Sequence, residues 1–364
     1  MANAADLRTL HAIGITTNDG LGPPSTVLGR VSFAMDPITE PDGVGGTVVQ
    51  IGTNDESDPG RDYEGSVRVV WAFDVFNDVL GSSSLDTHID AAEHADITVH
   101  QHGQESSQGQ FISVLASNDE ICITQVANRQ KAAKMPNGGS TWTWTGDIGA
   151  TCGQAWEYGM VQKGHTESGD LYYPRCVWMD TDEGRDIDID PVPITNRQMK
   201  IDIFAYGGKT GAHSQDYYCG ATIFSWLHAD PIEERPSEGY CCPACLTCKE
   251  NQVKRSLAAD EIQPLRRPRN RNQRSAERLI VNSRPQQSAI ALCNSPTSRG
   301  SDFASTNEGL FCDMETKTLY PICSAETTEL CFDLEARHPY LREAGKVRRR
   351  SAVSRKYNKI SHWD

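Results

Sequence analysis

The stretch Ser-Thr-Trp-Thr-Trp-Thr at residues 140–145 alternates small hydroxyl side chains with large aromatic ones. Successive side chains of an extended strand point to opposite faces, so both tryptophans lie on one face and the threonines on the other. The alternation therefore predicts a β-strand. We expect Trp142 and Trp144 to fill a hydrophobic core, and the functional alternative is a flat aromatic platform that stacks on sugar rings.

Similar short segments recur on both sides of this strand. Most are four to eight residues long, rich in Val, Ile, Thr, Tyr and Trp, and bounded by Gly, Pro, Asn or Asp. They cover residues 67–73, 97–100, 110–115, 121–126, 156–162, 171–179, 199–205 and 217–226. Many short strands separated by turns predict an all-β protein with an antiparallel β-sandwich or jelly-roll body. Two earlier apolar runs, Ser25–Phe33 and Gly46–Ile51, look like edge strands.

Helical periodicity is weak throughout the chain. Short helices are predicted over Asp86–His94 and Ser256–Ile262. Neither has the length of a crossover helix, so parallel pairing of strands is not expected.

Charge and composition change along the chain. Residues 1–250 carry 15 Lys and Arg against 36 Asp and Glu, whereas residues 251–364 carry 20 against 13. We predict a β-sandwich body at 1–232, a cysteine cluster at 233–250, a basic flexible linker at 251–288, and a small disulfide-stapled segment with a disordered basic tail at 289–364. The arginines near Arg266–Arg274 lack interleaved aromatic residues, so nucleic acid is not an expected partner. No apolar run approaches the roughly 20 residues of a membrane span.

The twelve cysteines fall into three groups of four. An even number, dispersed along the chain, indicates disulfide bonds and an extracellular, secreted protein. The run at residues 241–248 superficially resembles half of a zinc site, but a second Cys-x2-Cys pair is absent, so disulfides are favoured. Residues Met1–Arg8 contain no apolar h-region. We expect a signal peptide that is not present in this sequence, and the alternative is an intracellular protein with reduced or metal-bound cysteines.

An acidic string follows the strand segment at 171–179. Asp180, Asp182, Asp186 and Asp188 alternate with other residues around Gly184. Carboxylate oxygens are the ligands that Ca²⁺ prefers, so the string predicts Ca²⁺ as a cofactor held by these aspartates. It departs from the EF-hand loop, because the glycine occupies the fifth position and no Glu occupies the twelfth. The alternative is a solvated acidic loop.

A second candidate metal motif is a histidine pair. His100 and His102 lie at the end of a predicted strand, so their imidazoles share a face and could chelate one metal ion. Glu105 and Gly109 follow, as in the cupin motif, but the Glu comes too early and the leading glycine is missing. Surface histidines are the alternative. Nucleophile elbows, Gly-rich phosphate loops and His-Glu-x-x-His are absent from the sequence, which argues against an enzyme without deciding the question.

Two stretches carry a resemblance to a known family. The first comprises Ile121–Val126, Thr143–Trp156 and Pro174–Asp180, and the second Cys312–Cys323, Cys331–Leu334 and the tail near Lys359–Trp363. Together they resemble uncharacterised secreted proteins of filamentous fungi. The resemblance implies secretion, a disulfide-bonded β body and a stapled C-terminal segment, and it carries over no activity and no site residues.

Three functional hypotheses follow. The first is a secreted β-sandwich protein that binds an extracellular partner, such as a cell-wall glycan or a host surface, without turning it over. The second is a metal-dependent hydrolase or cupin-like enzyme that uses His100 and His102 or the loop at Asp180. The third is a structural or toxin-like secreted protein whose basic tail is processed.

Overall fold

The protein consists mainly of β-strands, with a few short helices. The computed structural model describes residues 9–17, 26–34, 47–54, 63–83, 86–101, 109–130, 141–166, 168–180, 196–206, 214–225, 230–236, 277–324, 330–335, 338–343, 346–348 and 357–364. The chain divides into an N-terminal unit, described up to residue 236, and a C-terminal unit, described from residue 277.

The N-terminal unit contains sixteen strands among its described residues. They are β1 (Thr9–Thr17), β2 (Thr26–Ala34), β3 (Thr47–Thr53), β4 (Gly65–Phe73), β5 (Val79–Ser82), β6 (Thr87–Ile89), β7 (His94–Gln101), β8 (Phe111–Ala116), β9 (Ile121–Gln130), β10 (Thr141–Thr145), β11 (Trp156–Glu157), β12 (Gly164–Thr166), β13 (Leu171–Tyr172), β14 (Cys176–Met179), β15 (Gln198–Asp202) and β16 (Thr222–Ser225). The helical elements are α1 (Gly146–Thr151), a 3-10 turn (Ile203–Tyr206) and α2 (Gln215–Gly220).

Twelve of these strands form one curled sheet. Its order is β11-β14-β9-β3-β7-β5-β4-β8-β15-β16, with β10 paired to β9 and β6 paired to β4. The other four strands form a sheet in the order β1-β2-β12-β13. All strand pairs in both sheets are antiparallel. The predicted all-β, antiparallel body is confirmed.

An aromatic contact closes the curled sheet on itself. Trp144 lies on β10, near one end of the sheet, and Phe224 lies on β16 at the other end. Their ring centroids are 6.5 Å apart, and both side chains are buried. The disulfide between Cys152 and Cys219 joins the end of α1 to α2. The two ends of the sheet therefore pack face to face, as the layers of a sandwich do.

A second disulfide, Cys122–Cys176, bridges β9 and β14 within the core. Tyr63 and Trp178 stack beside it with ring centroids 5.6 Å apart. The buried Glu157 carboxylate accepts hydrogen bonds from the Tyr63 hydroxyl and the Trp178 indole N–H, each at 3.1 Å. These donors satisfy a carboxylate that would be costly to bury alone. The contacts of Tyr63 with Glu157 and Trp178 thus fix the position of the chain just before β4.

The two segments expected to be edge strands are interior strands. All seven residues of β3 are buried, and β3 pairs with β7 on one side and β9 on the other. Strand β2 pairs with both β1 and β12. Turn-forming residues flank both segments, but flanking turns do not report how many neighbours a strand has.

The helix predicted over Asp86–His94 is wrong. Thr87–Ile89 is a strand paired with β4, and a turn leads into β7 at His94. Cross-strand pairing and burial of Ile89 override the weak helical pattern. Conversely, the first part of the strand predicted at 217–226 is helix α2, where the Ser214 hydroxyl caps the N-terminus by accepting from Tyr217 N–H at 3.3 Å.

The C-terminal unit is a small mixed β fold. Its elements are β17 (Arg278–Asn282), α3 (Ala289–Asn294), β18 (Asp302–Ser305), β19 (Leu310–Asp313), β20 (Thr318–Pro321), β21 (Leu330–Asp333), β22 (His338–Glu343), β23 (Lys346–Arg348) and β24 (Lys359–Trp363). One sheet has the order β20-β19-β18-β17-β24 and another β21-β22-β23. The disulfides Cys293–Cys312 and Cys323–Cys331 staple it, as predicted for this region. Phe311 and Phe332 stack in its core at 3.7 Å.

Three features of this unit differ from the sequence predictions. Strand β17 lies inside the predicted linker, and β24 lies inside the predicted disordered tail. Strand β17 also pairs in parallel with both β18 and β24. Leu279 on β17 and Trp363 on β24 are buried, which holds both strands in the core. Helix α3 lies between β17 and β18 in sequence, and its six residues are too few to produce a clear helical period.

Removal of the disulfides should destabilise the two units unequally. The Cys122–Cys176 bridge closes a loop of 54 residues, for which chain entropy predicts a loss of about 4 kcal/mol. The Cys323–Cys331 bridge closes a loop of 8 residues, for which the same relation predicts about 2.5 kcal/mol. Urea unfolding of the paired Cys→Ala variants measures both values. Equal losses would show that native packing around each bridge, and not loop closure, sets its contribution.

Candidate functional site

Trp144, one of the two tryptophans that were expected to fill the core, with a sugar platform as the alternative, is a core residue. Its indole packs on Phe224. It also lies close to Gly149, where an added methyl group would come within 3.4 Å of the indole. Trp144 therefore offers no exposed face for a sugar. The side chain of Trp142 lies outside the described residues.

Asp180 and His100, the described residues of the two metal motifs predicted from the sequence, lie level with opposite ends of strand β9. Asp180 directly follows β14, whose Met179 is opposite Ile121 at the start of β9. His100 lies near one end of β7. Strand β3 lies between β7 and β9, and its pairing puts this end of β7 level with Gln130, at the other end of β9. The distance from Ile121 to Gln130 along an extended strand is about 30 Å. His100 and Asp180 therefore cannot share one metal centre.

The remaining residues of these motifs are not part of the described structure. Asp180 itself is buried, and its backbone N–H donates to the Asn196 carbonyl at 3.0 Å. Outside the described residues lie Asp182, Asp186, Asp188, His102 and the cysteine run at 241–248. The calcium loop, the histidine pair and the bonding of that run stay predictions.

Lys200 is a buried amine on β15. Its ammonium group donates to the Ile232 carbonyl at 2.6 Å and lies 3.6 Å from the centre of the Phe73 ring. Burial lowers the pKa of Lys200 to about 8, against the opposing effect of the Glu234 carboxylate. A lysine with a lowered pKa is often a catalytic base or nucleophile. Lys200, however, is fully buried, so it anchors residues 230–236 onto the sheet and does not face a substrate.

An exposed apolar tip lies between β4 and β5. We call residues Asp74–Val79 the Phe76 tip. The side chains of Val75, Phe76 and Val79 are 47, 79 and 55% exposed. Asp78, also in the tip, is exposed. Large apolar side chains gathered on a surface usually mark a binding site.

The backbone of the Phe76 tip is held in one conformation. The Asp74 carboxylate accepts from the backbone N–H groups of Phe76 and Asp78, at 2.8 and 2.9 Å. Asn77 adopts a left-handed φ of 76°, and its side-chain amide donates to the Glu233 carbonyl at 2.6 Å. The Phe76 ring is therefore presented on a pre-organised turn.

A group of potential metal ligands lies where β4 begins and β6 ends. One oxygen of Glu64, one of Asp90 and a ring nitrogen of His88 all lie within 4.8 Å of one another. The group follows from strand register, because Ser66 lies directly opposite His88. Glu64 directly precedes β4 and Asp90 directly follows β6. Each is two residues from the Ser66–His88 pair, so both occupy the same face.

The surroundings of His88 orient its ring. The Ser66 hydroxyl lies 3.2 Å from His88 Nδ1 and donates to Asp119 Oδ2 at 3.0 Å. On the other side of the ring, His88 Nε2 lies 3.4 Å from Asp90 Oδ1. Both ring nitrogens thus have polar partners, and Nε2 faces the Asp90 carboxylate.

The sequence prediction missed this group because it placed a helix over Asp86–His94. In a helix, residues two apart point in different directions, whereas in a strand His88 and Asp90 share a face. The His-x-Asp alternation could have revealed this pair. Glu64 could not be found in this way, because cross-strand register is not readable from the separate segments.

Comparisons of the chain with protein-family models, with characterised proteins and with solved structures find no match. None of the helices in the described residues has both the length and the apolar character needed to cross a bilayer. The functional interpretation therefore depends on the geometry of the chain itself.

Stability should depend on pH through Lys200. Its pKa is about 8 in the folded state and the ordinary 10.5 in the unfolded state. Between these values the unfolded chain binds more protons, so the free energy of unfolding should rise with pH. The rise from this group is up to about 3 kcal/mol. Urea unfolding of the wild type and of Lys200→Met at several pH values measures it.

Lys200→Gln provides the control for this experiment, because it keeps an N–H donor for Ile232 but does not titrate. Both variants should lack the rise between pH 8 and 10.5. Parallel curves for the wild type and both variants would show that Lys200 stays charged in the fold.

Proposed function

We propose that this protein is a secreted, non-catalytic binding protein whose ligand is a glycan of a cell wall or of a host surface. The four disulfides among the described residues support an oxidising compartment. The binding role depends on the surface that the N-terminal unit presents.

The Phe76 tip is the observation that carries this proposal. A phenyl ring with most of its surface in water contributes nothing to the core, whereas its burial against a ligand is favourable by about 1.5–3 kcal/mol. Because the turn is already held by Asp74 and Asn77, little conformational entropy is lost when a ligand binds. Such a rigid, central aromatic residue is typical of an energetic hot spot.

The chemistry of the tip suits a sugar ring. An aromatic face packs against the apolar C–H face of a pyranose. The exposed Asp78 carboxylate lies two residues from Phe76 and can accept hydrogen bonds from sugar hydroxyls. An apolar contact with a few polar groups is the usual composition of a small-ligand site.

Binding to insoluble polysaccharides tests the proposal. Purified protein is sedimented with chitin, β-1,3-glucan or cellulose, and the retained fraction is measured. We expect retention by at least one polysaccharide, and Phe76→Ala should weaken it by about 10- to 100-fold, since the buried ring is lost. Phe76→Tyr should retain binding and Phe76→Leu should lose it if the ring stacks.

Phe204→Ala is the matched control, because Phe204 is a partly exposed aromatic residue elsewhere in the same unit. It should bind like the wild type. Thermal unfolding of each variant verifies the fold. Absence of retention on all three polysaccharides, or equal retention of the Phe76 and Phe204 variants, would contradict the proposal.

A further inference from the structure

The cluster formed by Glu64, His88 and Asp90 is separate from the Phe76 tip, and its properties are independent of glycan binding. We propose that this cluster is a divalent metal site, and that Zn²⁺ is the ion it favours. Three observations support this site: the Ser66 hydroxyl orients the His88 ring, the ligand atoms lie close together, and backbone contacts hold their positions.

The Ser66 hydroxyl orients the His88 ring through its Nδ1 nitrogen. The Ser66 hydroxyl has a single proton, which it donates to Asp119 Oδ2 at 3.0 Å. The Ser66 oxygen is then the acceptor for His88 Nδ1–H at 3.2 Å. A metal-binding histidine normally donates its second ring N–H to such an outer partner. The Ser66 hydroxyl thus holds the Nδ1 side of the ring, and Nε2 is the ring nitrogen that faces Asp90.

The spacing of the ligand atoms fits a zinc ion. His88 Nε2 and Asp90 Oδ1 lie 3.4 Å apart, and an oxygen of Glu64 lies within 4.8 Å of this pair. Two ligands of a tetrahedral zinc ion, each bonded at 2.0–2.1 Å, are separated by about 3.3 Å. The observed spacing therefore matches two neighbouring zinc ligands, and Glu64 supplies the third.

Backbone contacts hold the positions of the ligands. The Thr53 hydroxyl donates to the Asp90 carbonyl at 2.6 Å, and Ile89, beside His88, is buried. Glu64 follows Tyr63, whose ring stacks on Trp178 in the core around the Cys122–Cys176 disulfide. The backbone of each ligand is thus fixed before any ion binds, which lowers the cost of assembling the site.

The donor set selects the type of ion. An imidazole with two carboxylates suits Zn²⁺, whereas Ca²⁺ takes six to eight oxygen ligands and Cu(I) prefers sulfur. The side chains of His88 and Asp90 are 52 and 75% exposed. Three protein ligands beside solvent leave a fourth coordination position to water or an incoming ligand, as in open zinc sites.

Calorimetric titration of the full-length protein with Zn²⁺, after treatment with EDTA, tests the site. We expect one site that is lost in His88→Ala and in Glu64→Gln, the latter keeping the size of the side chain. Ser66→Ala should weaken Zn²⁺ binding by about 10- to 100-fold, the usual effect of removing an outer-shell partner. Ca²⁺ at the same concentrations should not compete.

His100→Ala and His165→Ala are the matched controls, because both histidines are exposed in the same unit and lie outside the cluster. Both should bind Zn²⁺ like the wild type. Equal binding by the wild type and His88→Ala would overturn the proposal. Loss of binding in His100→Ala instead would assign zinc to the histidine pair predicted from the sequence. Unchanged His88 ring resonances in ¹⁵N NMR on addition of Zn²⁺ would also overturn it.

Discussion

The contact between Trp144 and Phe224 is the interaction on which the architecture of the N-terminal unit depends. A sheet of twelve strands has two broad faces, and one of them must be buried for the fold to be stable. Because the sheet curls until β10 and β16 meet, it buries that face against itself without a layer of helices. The Cys152–Cys219 bridge fixes the same closure covalently. The short helices α1 and α2 are the elements that position this bridge.

The strands that were predicted well are those in which a local pattern coincides with burial. The strand predicted in the stretch 140–145 is observed as Thr141–Thr145, because β-branched and aromatic side chains favour an extended chain that is buried on both faces, as Thr143 and Trp144 are. The position of β3 inside the sheet could not be predicted in the same way. Its neighbours β7 and β9 come later in the chain, and no local property of Thr47–Thr53 identifies them. The parallel pairing of β17 with β24 could not be predicted for a similar reason, because the two strands are about 80 residues apart in the chain.

The candidate sites were even harder to predict from local sequence than the pairing of the strands. The metal sites predicted from the sequence consist of residues that are close together in the chain, such as His100 and His102 or the aspartates after Met179. The groups that the described structure brings together come from different strands, as His88 and Glu64 do. The exposure of Phe76 could not be predicted either, since a phenylalanine next to a valine in a β-rich segment is ordinarily a core residue. The hydrogen bonds of Asp74 and Asn77, which hold the turn at this point, accompany the exposed ring.

Strand β24 changes what proteolysis at the basic residues near Arg348 would produce. The strand is held by its backbone pairing with β17 and by the Trp363 ring, which packs edge-on against Phe303 at 6.0 Å. A cut between β23 and β24 would break the chain, but these contacts would keep the severed peptide in place. The product would be a two-chain unit in which a short peptide completes a sheet, as in donor-strand complementation. Dissociation of the β24 peptide would expose the edge of β17. An exposed strand edge can pair with another chain, so the tail protects β17 from such pairing as long as it stays bound.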